Sequence, residues 1–415
     1  MIFIHSGFRT SSTYLWSLFR RDTNTISYYE IFNESLAGIT EKSINSIYPG
    51  SWNSKHPDGA PYYLEYLPLL RDGGGVLGFD SNFSYERYVP KDGPQGAISE
   101  SETSYVRSLI AHAEGRGRIP VLTAVRSLGR FKGLKFAVPG FHVLLYRNLF
   151  QQWCSCSEQS IAGNHFFLES PVMISKYCLH DTFLRKLLDL FPGSELRSRD
   201  RNMFYFFALF HIYLYGHAAE FSDLILDINK VASDEGYRRE IEEKFSSQNT
   251  TLDLSEATNS ISFSLVEPYL PKGELDVLMV AGRGIIDSLP SAKGKQFATK
   301  VLEDFIDEYE HYQFYAKSTR SLLIRTTTDK DAALAELQAS RHENDDLRAG
   351  RDAALAKSGE IGDAFQTEIS KYAALLEWCK QYNDAVSVSL SWRITKPLRL
   401  IGIGRPTLSK KPPPL

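Results

Sequence analysis

Short apolar runs alternate with helical stretches along most of this chain, and this alternation constrains the fold more than any other feature. The runs with strand character are rich in β-branched and aromatic residues. They occupy residues 2–5, 26–29, 73–80, 120–125, 141–147 and 223–228. The helical stretches occupy residues 12–21, 99–116, 148–161, 171–191 and 201–219. Strands that alternate with helices pair in parallel, because each helix returns the chain to the same end of the sheet. We therefore expect an α/β fold with a parallel, doubly wound sheet.

The chain changes character near residue 326. From Asp329 to Lys380 it contains no proline and is rich in Ala, Glu, Asp, Lys, Arg and Leu. DAALA occurs at 331–335 and again three heptads later at 352–356, but arginines interrupt the seam, so only a weak coiled coil is expected. Beyond Asp384 every charge is basic, and the sequence ends in KKPPPL. The predicted regions are an α/β domain at 1–325, a helical extension at 326–384 and a basic, Pro-rich tail at 385–415.

The composition, the charge and the number of cysteines indicate what kind of compartment suits this chain. It has 415 residues, 43% of them hydrophobic, and a formal net charge of −3, so nothing in the charge calls for a nucleic-acid partner. No basic and apolar leader precedes Arg9, and no apolar stretch reaches the roughly 20 residues of a membrane span. Four cysteines are too few to form a disulfide framework in a chain of this length. Cys154 and Cys156 form a C-x-C pair with no second pair nearby, so we expect no metal. These features predict a cytoplasmic protein.

The first strand runs directly into HSGFRTSST, residues 5–13, and then into a helix. A turn of small residues at this place leaves the N–H groups of the helix N-terminus open to an anion. Arg9 adds a positive charge. Four hydroxyl side chains follow it, namely Thr10, Ser11, Ser12 and Thr13. The loop lacks the second Gly and the Lys-hydroxyl pair of the nucleotide-triphosphatase loop. It is therefore an anion cradle of another kind, or else a Ser/Thr-rich helix cap beside an exposed arginine.

A second candidate anion site follows a later strand. In FHVLLYRNLFQQWCSCSEQ, residues 141–159, Arg147 ends the strand and Ser155 lies eight residues later on the next helix. Ligands of open α/β sheets bind at the carboxyl ends of strands, where these two side chains can meet on one phosphate. Two anion sites on one sheet edge favour a ligand that carries phosphate at both ends.

These two motifs together resemble the sulfotransferase superfamily that uses 3′-phosphoadenosine 5′-phosphosulfate (PAPS) as co-substrate, over roughly residues 1–325. The resemblance implies a P-loop-like loop around the 5′-phosphosulfate, formed by Arg9, Thr10, Ser11, Ser12 and Thr13. It implies that Arg147 and Ser155 hold the 3′-phosphate, and that no metal is needed. The family usually has Gly where this chain has Ser11, and often Pro where it has Phe8.

Sulfuryl transfer to a hydroxyl needs a base beside the acceptor and a cation beside the leaving phosphate. Arg9 suits the second role. Glu30 follows the second strand at the edge shared with Arg9, and some bacterial sulfotransferases carry a similar strand-end Glu as the proposed base. We therefore expect Glu30 to be the base, with Glu34 second. The alternative is that Glu30 begins a helix or forms an ion pair. His5 and His142 are further candidates, although a strand histidine is more often a hydrogen-bonded core residue.

Two basic segments bear on the acceptor. RSLGRFKGLKF, residues 126–136, holds an anionic acceptor or the nucleotide, or is a solvated basic turn. SLSWRITKPLRLIG, residues 389–402, resembles a tail found in bacterial enzymes of surface-polysaccharide assembly, which implies a saccharide acceptor. Its apolar and basic residues suit an anionic membrane surface or a groove on an assembly partner. The location is then the cytoplasm, including the inner face of the membrane, and a homo-oligomer stays open.

The sequence thus predicts a sulfotransferase that moves the sulfuryl group of PAPS to a hydroxyl of a saccharide or polysaccharide. One rival is a kinase-like or glycosyl-transferring enzyme, which the missing loop lysine and the lack of a clear metal-holding Asp disfavour. Another is a non-catalytic scaffold of a polysaccharide-assembly complex, which the departures at Phe8 and Ser11 favour.

Overall fold

A computed structural model describes residues 1–46, 61–191, 201–258, 272–344 and 351–395. Its five strands are β1 (Ile2–Ser6), β2 (Thr25–Tyr28), β3 (Ile119–Ala124), β4 (Phe141–Tyr146) and β5 (Leu224–Asp227). Its helices are α1 (Ser12–Arg21), α2 (Glu41–Ile44), α3 (Glu100–Glu114), α4 (Phe131–Ala137), α5 (Leu149–Ile161), α6 (Phe166–Tyr177), α7 (Thr182–Leu190), α8 (Arg201–Phe221), α9 (Ile228–Ser233), α10 (Glu235–Ser246), α11 (Lys272–Ser288), α12 (Ala292–Asn344) and α13 (Arg351–Thr395). Short 3₁₀ turns lie between several of them.

The strands form one sheet in the order β2-β3-β1-β4-β5, and every pairing is parallel. β1 lies at the centre, where its residue Ile4 is in register with Thr123 of β3 and Val143 of β4. The expected α/β fold with a parallel sheet is confirmed.

Apolar side chains cover both faces of this sheet. Ile2 and Ile4 point to one face, where they belong to a buried cluster with side chains of α1, α9 and α10. Phe3 points to the other face, in a second buried cluster with side chains of α3 and α4. This arrangement follows from the period of two along β1, because successive side chains of a strand point to opposite faces.

Two predicted elements are wrong. Residues 73–80 do not form a strand, and only an isolated antiparallel bridge joins Leu70 to Val76. Gly73, Gly74 and Gly75 have φ of 89°, 103° and 81°, which turns the chain out of extended geometry. The single helix expected at 171–191 is instead two helices, α6 and α7. The Asp181 carboxylate accepts the first backbone N–H groups of α7 and thereby starts the second helix.

α8 is the aromatic-rich helix predicted at 201–219, and most of its side chains are buried. None of the described helices combines the length and apolar character that a membrane crossing requires.

The chain divides into two compact units, Met1–Tyr312 and Gln313–Leu415, so the division falls before the predicted boundary at 325. The first unit contains the sheet and ends inside α12. The second contains the rest of α12 and α13, which confirms that the C-terminal region is helical. Residues 396–415, which include most of the predicted basic tail, lie outside the described residues.

Candidate active site

The sheet order creates a crevice at its carboxyl edge, between β1 and β4. In the strand order, β2 lies toward one end of the sheet from β1, and β5 lies toward the opposite end from β4. The chain therefore leaves β1 and β4 in opposite directions along the sheet. Loops that leave adjacent parallel strands in opposite directions separate from each other, and ligands of open α/β sheets bind in the gap. Arg9 follows β1 and Arg147 follows β4, so both lie at this point.

The loop after β1 has an unusual backbone. Arg9 and Ser11 have φ of 62° and 66°, in the left-handed region that favours glycine. The buried Thr10 hydroxyl donates to the carbonyl of Gly7 at 2.9 Å and braces the turn. α1 then begins at Ser12, and the Ser11 side chain makes no capping hydrogen bond to it. The first N–H groups of α1 therefore lack a side-chain cap and face the same turn as Arg9.

The two sequence motifs meet at Arg9. Its Nε donates to the Ser155 hydroxyl at 2.9 Å, and its carbonyl accepts from Nη1 of Arg147 at 3.1 Å. Ser155 is brought to this edge because it lies about two turns into α5, directly after β4. The Arg9 guanidinium also lies over the ring of Phe167, 5.1 Å from its centre. Among the described residues, Arg9 forms no ion pair with a carboxylate.

Two guanidinium groups thus share a largely buried position. Burial, followed by the neighbouring charge of Arg9, lowers the pKa of Arg147 to about 10. Burial also lowers the pKa of Arg9. Adjacent cations in a poorly solvated place repel each other, and a bound anion relieves that cost. The cluster is therefore suited to a phosphate or sulfate group, which charge-assisted hydrogen bonds bind strongly.

Glu30 lies at the same edge, two residues after β2. Its φ is 48°, its side chain is buried, and its carboxylate accepts from Nη1 of Arg126 at 3.2 Å. The ion-pair alternative for Glu30 is thus present in the structure. Burial raises the pKa of Glu30 to about 7, against the opposing effects of Arg126 and the Val125 backbone N–H. A carboxyl group with that pKa exchanges protons near neutral pH.

Arg126 is the side chain at this edge whose importance sequence reasoning missed. It is 2% exposed and bonds to Glu34 at 2.7 Å and to the Tyr85 hydroxyl at 3.0 Å, in addition to Glu30. A signal for it was present, because Arg126 stands two residues after β3, much as Arg147 follows β4.

The rest of the basic segment 126–136 is also engaged within the protein, so the solvated-turn interpretation is wrong for its two arginines. Arg130 is fully buried and pairs with Glu102 at 2.7 Å. Lys132 lies over the ring of Phe221, and Lys135 forms an ion pair with Asp223.

The remaining candidates are placed as follows. Thr13 and Ser12 are in the first turn of α1, and the Thr13 hydroxyl is 3.2 Å from that of Tyr29 at the end of β2. His5 and His142 are fully buried and hydrogen-bonded to each other at 2.9 Å. Burial lowers the pKa of His142 to about 4 and lowers that of His5 as well. They are core residues, out of reach of an acceptor.

The thiols of the C-x-C pair, Cys154 and Cys156, are buried. Burial raises the pKa of the Cys156 thiol to about 12, so this thiol stays protonated. Within the described ranges, no three His, Cys, Asp or Glu side chains are grouped as metal ligands would be.

Comparison with known proteins adds nothing to this site, because no family model, curated protein or solved structure matches the chain.

Proposed function

We propose that this protein is a PAPS-dependent sulfotransferase that acts on a hydroxyl of a saccharide or polysaccharide. The observation that carries the proposal is the cluster of Arg9, Ser155 and Arg147 between β1 and β4, where ligands of such sheets bind. In this proposal the loop after β1 is a P-loop-like phosphosulfate loop. The Arg9 side chain and the N-terminus of α1 bind the phosphosulfate, and Arg147 with Ser155 binds the 3′-phosphate.

The proposed reaction uses Glu30 as base. The acceptor oxygen attacks sulfur, its proton passes to the Glu30 carboxylate, and the bond from sulfur to the bridging phosphate oxygen breaks. The products are a sulfate ester and 3′-phosphoadenosine 5′-phosphate. Negative charge develops on the leaving phosphate, where Arg9 stabilises it. A pKa of about 7 for Glu30 supports its role, because a base near the working pH is deprotonated yet still basic enough to take the proton.

Ligand binding tests the donor site first. In differential scanning fluorimetry we expect 3′-phosphoadenosine 5′-phosphate to stabilise the protein, and ATP and UDP-sugars to do so much less. Preferential stabilisation by ATP or a UDP-sugar would support the kinase-like or glycosyl-transferring alternative instead.

The Arg147→Ala variant tests the assignment of the 3′-phosphate. A charge-assisted hydrogen bond contributes about 1.5–3 kcal/mol, so affinity for 3′-phosphoadenosine 5′-phosphate should fall about tenfold to a hundredfold. Affinity for adenosine 5′-phosphosulfate, which lacks the 3′-phosphate, should change little. Arg239→Ala, at an exposed position on α10, is the matched control. Equal losses for both ligands would assign Arg147 a structural role.

A scaffold without activity is the second candidate, because Glu30 is buried in an ion pair with Arg126. The two candidates differ in turnover of PAPS labelled in the sulfuryl group. Transfer of label to a glycan supports the enzyme, whereas tight binding of 3′-phosphoadenosine 5′-phosphate without transfer to any glycan tested supports the scaffold.

A further inference from the structure

The carboxyl edge of the sheet has two halves with different charge. At the β1–β4 end, Arg9 has no carboxylate partner among the described residues. At the β2–β3 end, one cation, Arg126, is bonded to two carboxylates, Glu30 and Glu34. With both carboxylates ionised, Arg126, Glu30 and Glu34 together carry one net negative charge. An anion is attracted to the first half and repelled from the second.

Aromatic rings surround the second half. The Arg126 guanidinium lies 5.4 Å from the ring centre of Phe8, 5.1 Å from that of Tyr85 and 5.9 Å from that of Phe166. Tyr177 of α6 stacks on Tyr85, with ring centres 6.4 Å apart and an angle of 22° between the planes.

Part of this group is open to solvent. Tyr177 is 49% exposed, and the Glu34 side chain is 44% exposed. The Nε–H of Arg126 is buried and has no hydrogen-bond partner in the described part of the chain. A buried donor of this kind is ordinarily satisfied by water or by a ligand oxygen.

Two cations of the neighbouring basic segment are already engaged within the protein. Arg130 is buried against Glu102, and Lys135 is paired with Asp223. A carboxylate or sulfate on an incoming sugar would therefore meet Glu34, whose cation Arg126 is already shared with Glu30. A neutral sugar would instead place its C–H face on an exposed ring and offer its hydroxyls to the charged groups.

We propose that Glu34, Tyr85 and Tyr177 form the acceptor subsite, and that it takes an uncharged saccharide and rejects an anionic one. The inference rests on the proposed function, since it places the acceptor beside Glu30. It replaces the expectation that the basic segment 126–136 holds an anionic acceptor.

A matched pair of sugars tests the inference. The probes are 4-nitrophenyl β-D-glucopyranoside and 4-nitrophenyl β-D-glucuronide, which differ only in the carboxylate. Binding is measured by saturation-transfer NMR titration of the full chain at low salt, with and without 3′-phosphoadenosine 5′-phosphate. We expect the affinity for the glucuronide to be lower than that for the glucoside by about tenfold or more, because a like charge opposes its binding. Glu34→Gln should reduce that difference.

Tyr177→Ala locates the subsite. It should weaken glucoside binding at least severalfold and leave the affinity for 3′-phosphoadenosine 5′-phosphate unchanged. Tyr372→Ala on α13 is the control and should change neither affinity. The inference is overturned if the glucuronide binds as well as the glucoside, if the glucoside does not bind, or if Tyr177→Ala has no effect. Failure of the proposed function is a separate result, namely that 3′-phosphoadenosine 5′-phosphate does not bind. The sugar titrations without nucleotide then still test the acceptor subsite.

Discussion

Three residues of the candidate site, Arg9, Ser11 and Glu30, have left-handed backbone conformations. Among the described non-glycine residues only Asn249 shares this property. Such a conformation costs about 1–2 kcal/mol for an ordinary residue and persists where the surrounding structure requires it. The strain lies at the ends of β1 and β2, on the edge where the proposed ligands bind. Ser11 matters most here, because a serine keeps a backbone conformation that suits glycine.

Ser11→Gly should stabilise the protein. Glycine adopts a φ of 66° without steric cost, and the Ser11 side chain makes no capping bond that would be lost. We expect the free energy of unfolding to rise by about 0.5–1 kcal/mol, measured by denaturant titration, with nucleotide binding retained. Ser11→Val should lower it, because a β-branched residue resists this conformation. A less stable Gly variant would show that the serine hydroxyl has a role in the loop.

Glu30→Gln should abolish turnover without abolishing nucleotide binding. Gln keeps the shape and cannot take a proton, so kcat should fall about 10²–10⁴-fold. In the wild type, kcat should rise with pH and level off above the pKa of about 7, as the carboxyl loses its proton. Glu34→Gln is the control and should retain more activity, with the rise of kcat moved to lower pH, because the Glu34 charge helps to raise the pKa of Glu30. The reverse ranking of the two variants would assign the base to Glu34.

The Glu30 carboxyl group also makes the free energy of unfolding depend on pH. Its pKa is raised from 4.5 to about 7 on folding, so between these values the folded chain holds a proton that the unfolded chain has released. The contribution of Glu30 to the free energy of unfolding should therefore decrease as pH rises through this window, and the wild type should lose stability relative to Glu30→Gln over it. Denaturant midpoints at a series of pH values measure this difference, and a difference that does not change with pH would mean that the Glu30 pKa is ordinary.

Sequence alone identifies the site residues whose motifs lie within one short stretch of the chain. The spacing between Arg147 and Ser155 and the hydroxyl run after Arg9 are local, and the structure brings these side chains together. The partnership of Arg126 with Glu30 spans distant parts of the chain and depends on the adjacency of β2 and β3, which no local pattern specifies.

At the scale of elements, the helices and strands with strong periodicity were predictable, and those governed by turns were not. α1 matches its prediction because its buried apolar residues follow the helical period. The predicted strand at 73–80 failed because glycines with positive φ outweigh the apolar residues between them. The helix at 171–191 is divided by a cap at Asp181, and a side chain that caps resembles an ordinary polar residue in sequence.

Arg130 joins several elements, and its loss should be costly. It pairs with Glu102 in the first turn of α3 and donates to the carbonyls of Phe83 and Arg126. Arg130→Met leaves the buried Glu102 charge without this partner, so the free energy of unfolding should fall by about 3–5 kcal/mol. Adding Glu102→Gln, which keeps an acceptor for the Ser99 backbone N–H, should recover part of that loss. Denaturant unfolding measures both, and no recovery would mean that the carbonyl contacts dominate.

At the scale of the whole molecule, the change in composition near residue 326 indicated a helical region but not where the compact unit ends. The first unit closes at Tyr312, inside α12, because the early turns of this helix are buried. Phe305 and Tyr309 pack against Phe150 of α5, with ring centres 6.0 and 5.5 Å apart. Beyond Tyr312 the large apolar side chains Phe314, Leu323 and Ile324 are 68, 66 and 60% exposed. α12 therefore changes from a core helix to a solvated one along its length, without a break in the backbone that sequence could signal.

Two truncations should separate these parts of α12. A chain that ends at Thr328 keeps every buried residue of the first unit, so it should be soluble, unfold cooperatively and bind 3′-phosphoadenosine 5′-phosphate like the full chain. A chain that ends at Glu303 loses Phe305 and Tyr309, whose burial contributes about 1.5–3 kcal/mol each. It also removes the packing that holds α5, which carries Ser155, so stability and nucleotide binding should fall together. Circular dichroism melts and nucleotide titrations measure both properties. Loss of nucleotide binding in the chain that ends at Thr328 would mean that residues after Thr328 support the site.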